Sequence, residues 1–173
     1  MRILASALIG LILTATSLSA DPIKELSPLA PFIGTWKTTG GSVDGTQSFE
    51  DVSRWQWAFG GKIVKITHSV NQGAYFGESL ISWDGQQQKI VYRYVNNAGF
   101  YTDGVITPVD DGIEVHEFVR GSLSGPTETL SGYRVDSDGL MQAWSKFKAD
   151  GKWGEATTVS YAQAPNAEPI FKD

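Results

Sequence analysis

Residues 51–70 read DVSRWQWAFGGKIVKITHSV, and this stretch decides the architecture. Gly60–Gly61 supplies two adjacent residues that reach positive φ without strain, as a tight hairpin requires. Folding the stretch about that pair sets Phe59 against Lys62, Trp57 against Val64, Trp55 against Ile66, Ser53 against His68 and Asp51 against Val70. Alternate residues of a strand share a face, so Trp55, Trp57, Val64 and Ile66 fall on one side. Turn chemistry and apolar pattern agree on one register. His68 and Ser53 land on that same side, with Asp51 one step further.

The same punctuation runs outward along the chain. Turn chemistry recurs at Asp44–Gly45, Gly60–Gly61, Asn71–Gly73, Asp84–Gly85, Asn96–Gly99, Asp110–Gly112, Ser122–Pro126, Asp136–Gly139 and Asp150–Gly151, at intervals of 12 to 16 residues. Nine turns separate ten strands, and no segment between them has helical period. Ten consecutive antiparallel strands predict an all-β, up-and-down (meander) barrel, because an open sheet would leave two long unpaired edges. A two-sheet sandwich is the alternative. About Asp84–Gly85 the two-residue rule pairs Ile81 with Gln88, Ser79 with Ile90, Gly77 with Tyr92 and Tyr75 with Tyr94. That makes a second aromatic face, backed by Phe76, Glu78, Leu80, Val91, Arg93 and Val95. The pattern leaves open which side points inward. Ahead of the first strand, Asp21 is placed to cap a short turn or helix, with Pro22 at its first position and Glu25 in its first turn.

Residues 1–20 read as an export signal: Met1 and Arg2, an apolar run from Ile3 to Leu13, then a small and polar exit to Ala20. The apolar run is too short to span a bilayer, and nothing later approaches the roughly 18 apolar residues required. Residues 21–173 then form a single domain, long enough for a real core. The reading is a bacterial protein, periplasmic or secreted. With no Cys, it must be held by packing alone in an oxidising compartment. Six Trp, six Tyr and eight Phe exclude a disordered chain. Removing Arg2 with the leader leaves 13 basic against 19 acidic residues, a net charge of −6. So acidic a chain, without a basic run, is a poor match for nucleic acid or an anionic membrane surface, and no nucleic-acid partner is expected.

Leu29, Phe32, Ile33, Gly34, Thr35 and Trp36 resemble the segment that leads into the first strand of lipocalin-like (calycin) proteins. The stretch Gly77, Ser79, Leu80, Ile81, Trp83 and Asp84, with Lys89 to Tyr92, is similar to uncharacterised bacterial members of that group. The resemblance implies a cup-shaped barrel around an apolar ligand. Haem-binding barrels of this broad kind carry an iron-ligating His near the chain end; none stands there in this sequence, so no cofactor is expected.

The polar side chains are few. Asp51, Ser53 and His68 invite a nucleophilic triad, but regular strands provide neither an elbow nor an oxyanion hole. A polar contact for a ligand, or a histidine satisfied by its neighbours, fits the pattern better. His116 alternates with Glu114, Phe118 and Arg120, opposite Ile113, Val115, Glu117 and Val119. Two His on different strands make no zinc set. Glu78 and Arg93 fall on one face as a cross-strand ion pair. The expected ligand-binding residues are Ser53, Trp55, Trp57, Val64, Ile66, His68, Tyr92 and Tyr94, around a small apolar molecule, with no catalytic or metal residue. The expected role is an exported carrier or sensor. A lipocalin-like isomerase, hydratase or cyclase, or a filled barrel acting through its surface, are the alternatives. An outer-membrane barrel is disfavoured by the short turns and the non-aromatic end Lys172–Asp173. Exported material should have the intact mass of residues 21–173; retention of residues 1–20 would refute the leader assignment.

Overall fold

The computed structural model describes residues 21–39 and 49–172; the leader and the Asp44–Gly45 turn lie outside the described residues. A 3-10 helix (Lys24–Phe32) precedes β1 (Gly34–Thr38), β2 (Asp51–Ala58), β3 (Ile63–Val70), β4 (Tyr75–Asp84) and β5 (Lys89–Asn96). Then follow β6 (Tyr101–Val109), β7 (Gly112–Arg120), β8 (Glu128–Val135), β9 (Met141–Ala149), β10 (Lys152–Trp153) and β11 (Thr157–Gln163). From β1 to β9 each strand pairs antiparallel with the next, β9 pairs on its other side with both β10 and β11, and β11 pairs with β1, so the sheet closes on itself. Trp153 faces Lys148 and Thr157 faces Ser145, four residues advancing against three. The pieces β10 and β11 are therefore one barrel strand broken by a bulge. The molecule is a closed ten-stranded meander barrel.

The helix begins at Lys24 with Ile23 as its N-cap and no side-chain cap, so Asp21 does not have the capping role the sequence assigned it. The start is pinned instead by the Ile23 N–H donating to Gly61 O at 3.1 Å. Gly61 is required there twice over. Its φ is +78°, and a Cβ would lie 2.7 Å from Pro22 Cα. Pro28 and Pro31 inside the segment remove donors and forbid an ordinary α-helix. With three residues per turn, Leu26, Leu29 and Phe32 fall on one side, and all three are buried. That side enters the barrel beside Val64, Ile81, Ile90 and Ile113. Trp36, fully buried, donates its indole N–H to Phe32 O at 2.7 Å and so satisfies a carbonyl at the helix end.

The β2–β3 register matches the sequence reading from Asp51↔Val70 to Trp57↔Val64. The turn itself is longer than two residues: Ala58↔Ile63 is the last pair, and Phe59 sits at φ 48° and exposed. Across β4–β5 the register differs from the two-residue expectation. Tyr92 faces Ile81, Tyr94 faces Ser79 and Asn96 faces Gly77. The cause is local: Asp84 accepts the N–H groups of Gln86 and Gln87 at 2.9 and 3.0 Å, and Gln88 turns to φ 55°. These interactions hold a four-residue loop. The displacement is four residues, an even number, so every side chain keeps its face.

The expected Glu78–Arg93 pair does not form, although the two remain diagonal neighbours in the observed register, because each finds its partner on the strand at its other side. Arg93 binds Asp103 at 2.7 Å and Glu78 binds Lys65 at 2.7 Å, both on the outer wall. Charged pairs on neighbouring outer strands are not the apolar band of a lipid-facing barrel. No described helix is long and apolar enough to cross a membrane. After β11 the chain returns over the outside of the barrel. Arg54 Nη2 donates to Ala167 O at 3.1 Å, the Ile170 N–H to Ser69 Oγ at 2.8 Å, and Phe171 stacks on Phe76 with ring centroids 4.9 Å apart.

Trp36→Phe keeps one aromatic ring but loses the pyrrole half of the buried indole, and leaves the Phe32 carbonyl without its donor. It should cost about 1–3 kcal/mol in urea unfolding at unchanged m-value. A cost below about 0.5 kcal/mol, the range of ordinary surface changes, would show that this bond does not anchor the helix.

Candidate functional site

The barrel is not filled. A cavity of about 380 Å³ extends from Trp55, Ile81 and Ile106 to rim positions at Phe100, Ser122 and Pro126. Its apolar end rests on the helix and the buried isoleucines. Towards the other end, where the β3–β4 and β5–β6 connections lie, the lining turns polar.

The polar side is a connected network. His68 Nε2 lies 2.8 Å from the Tyr94 hydroxyl, which hydrogen-bonds the Tyr75 hydroxyl at 2.8 Å. His68 Nδ1 lies 3.3 Å from Asp51 Oδ1, and the Tyr161 hydroxyl donates to Asp51 Oδ2 at 2.9 Å. The Asp51 carboxylate can only accept, so His68 presents a protonated Nδ1 to it. Tyr94 donates its single hydroxyl proton to Tyr75, so at His68 Nε2 the Tyr94 oxygen is the acceptor. Burial pushes the Tyr75 and Tyr94 phenols up from their ordinary range, and burial together with the Asp51 charge pushes Tyr161 well above it. These phenols serve as neutral hydrogen-bonding groups. Gly77 makes the arrangement possible, since a Cβ there would collide with the Tyr94 ring and hydroxyl.

That geometry disposes of the triad. Both ring nitrogens of His68 are engaged, one by Asp51 and one by Tyr94, so neither is left to activate Ser53. His116 lies apart, on the outer wall, bonded to Glu128 at 2.9 Å, and Lys148 reaches the same carboxylate at 2.8 Å. Among the described residues no group of three His, Cys, Asp or Glu side chains is arranged to hold a metal ion.

Six of the eight residues expected from sequence border the cavity: Ser53, Trp55, Ile66, His68, Tyr92 and Tyr94. Trp57 and Val64 do not. They pack with the core beside the helix, below the cavity, because the tilted strands carry the β2–β3 hairpin to the closed end. The face of β4 and β5 that the sequence left open is resolved: Tyr92 and Tyr94 point inward.

Glu117 escaped the sequence reading as a site residue. It borders the cavity, and Thr102 Oγ1 donates to its Oε2 at 2.6 Å. Burial pushes its carboxyl up from the ordinary carboxylate range, although the Thr102 hydroxyl and the nearby His116 pull the other way. It remains partly accessible while lying deep in the protein, because it faces the cavity. The signal was a lone charge in the apolar row Ile113, Val115, Val119. Two further lining residues carry buried polar atoms without a partner, Trp55 Nε1 and Ser131 Oγ.

The chain matches no known protein-family model, and no curated protein is significantly similar to it in sequence. The fold and the cavity therefore define the class by themselves: a closed antiparallel β-barrel with an interior pocket.

A carboxyl whose folded-state pKa is raised holds its proton more tightly in the native state. Its ionisation therefore costs stability, and the cost grows as pH rises from the unfolded pKa through the folded one. Glu117→Gln removes that cost. The variant should melt above the parent at pH 7, with the gap narrowing towards pH 4. A gap that does not change between pH 4 and pH 7 would show that ionising Glu117 carries no such cost.

Proposed function

We propose that this protein is an exported, lipocalin-like carrier or sensor that takes a small apolar molecule inside its barrel. The observation that carries the reading is the cavity of about 380 Å³, apolar at its closed end and hydrogen-bonding towards its rim. That size falls within the roughly 300–1,000 Å³ of small-molecule sites, as does the pairing of apolar walls with a few placed polar groups. A carrier needs a preformed pocket and no activated nucleophile. His68, fully engaged by Asp51 and Tyr94, fits an orienting group better than a catalytic base. The two sequence segments similar to lipocalin-like proteins, and the leader, support the rest of the proposal: the family, and release into the periplasm or medium.

Binding of naphthalene and of 1-naphthol, followed by quenching of tryptophan fluorescence, tests this. Both should saturate at one equivalent. His68→Ala removes the partner that holds the Tyr94 hydroxyl at the cavity wall, and should weaken 1-naphthol about fivefold, the worth of one hydrogen bond of roughly 1 kcal/mol, while changing naphthalene less than about twofold. Absence of saturable binding by either compound would remove the proposal.

A further inference from the structure

The charge of the cavity is one-sided. Two carboxyl groups border it, Asp51 and Glu117, and among the described residues no Lys or Arg does. The β1–β2 connection at 40–48 contains no Lys, Arg or His in sequence. Among the described residues the one basic side chain at the wall is His68, already matched to Asp51. Glu117 has no such match: its one hydrogen bond comes from the neutral Thr102 hydroxyl.

Resting on the pocket reading above, we infer that the ligand is an organic cation, an apolar body carrying a protonated amine that pairs with Glu117. An ammonium group brings three donors, and the Glu117 carboxylate has free acceptor capacity for them beyond its bond from Thr102. The walls suit the same charge. Tyr92, Tyr94, Tyr133 and Phe100 present aromatic rings, whose faces attract cations most strongly where water is excluded. Burial of Glu117 disfavours its ionised form, and a cation seated beside it relieves that penalty. A carboxylate ligand meets the opposite situation. It would enter a low-dielectric space beside two acidic groups with no free cation to receive it. The net negative charge of the mature chain adds a long-range attraction for cations.

Three probes of one shape separate the possibilities: 1-naphthylmethylamine, 1-naphthylmethanol and 1-naphthoate, titrated into the mature protein at pH 7.5 and low salt. The amine should bind about tenfold more tightly than the alcohol, and the carboxylate about tenfold more weakly. Glu117→Gln should abolish the advantage of the amine and leave the alcohol within about threefold, which also reports that the variant is folded. Should that variant not fold, the ranking on the parent protein decides. An alcohol that binds as well as the amine, or a carboxylate that binds best, overturns the cation inference and leaves the apolar pocket standing. No binding of any of the three overturns both.

Discussion

Ten strands enclose more space than their own inward side chains can fill, and a closed barrel has no second sheet to lend it a core. The molecule meets that constraint with its N-terminal segment. Leu26, Leu29 and Phe32 enter one end of the barrel at the three-residue spacing of a 3-10 helix, and Trp36 ties the helix end to the first strand. Pro28 and Pro31 serve this purpose, since an α-helical spacing would turn one of the three apolar side chains away from the interior. The plug packs one end completely. It reaches no further, and the space beyond it is the cavity.

Strand tilt then decides what each row of side chains meets. One continuous row of cross-strand partners runs Trp57, Val64, Ile81, Tyr92, Gly104, Glu117, Thr129 and Phe147. It starts against the plug and ends near the rim, so a single register line passes from tightly packed hydrocarbon to a polar wall. Gly104, between Tyr92 and Glu117, contributes no side chain, so the row is thinnest where the cavity is. The apolar core and the polar wall of the cavity are thus two ends of the same rows and not separate modules.

Much of this was legible in the chain. The Gly60–Gly61 pair with alternating Trp55, Trp57, Val64 and Ile66 gave the β2–β3 register, and the regular turns gave the strand number. Faces survived even where register did not: the Asp84 loop moved the β4–β5 pairing by four residues, and Tyr92 and Tyr94 stayed inward. Depth along the barrel axis was not legible, because alternation tells inside from outside and nothing about height. Trp57 and Val64 were placed with the ligand for that reason. Glu117 was hidden differently. A charge in an apolar row reads as a surface position when the row is taken alone, and only closure of the barrel shows that its other side is already the exterior.

The returning C-terminal segment has a further consequence. Ile170 reaches the β3–β4 turn, where its carbonyl lies against Gly73, while the start of the described chain lies against Gly61 on the β2–β3 turn. Successive turns of a meander lie at opposite ends, so Pro22 sits under the plug and Lys172 beside the rim. The two ends of the domain are polar opposites in space. A tether or fusion attached ahead of residue 21 would hold the barrel with its mouth facing away from the attachment. The same addition after residue 172 would stand at the mouth of the cavity.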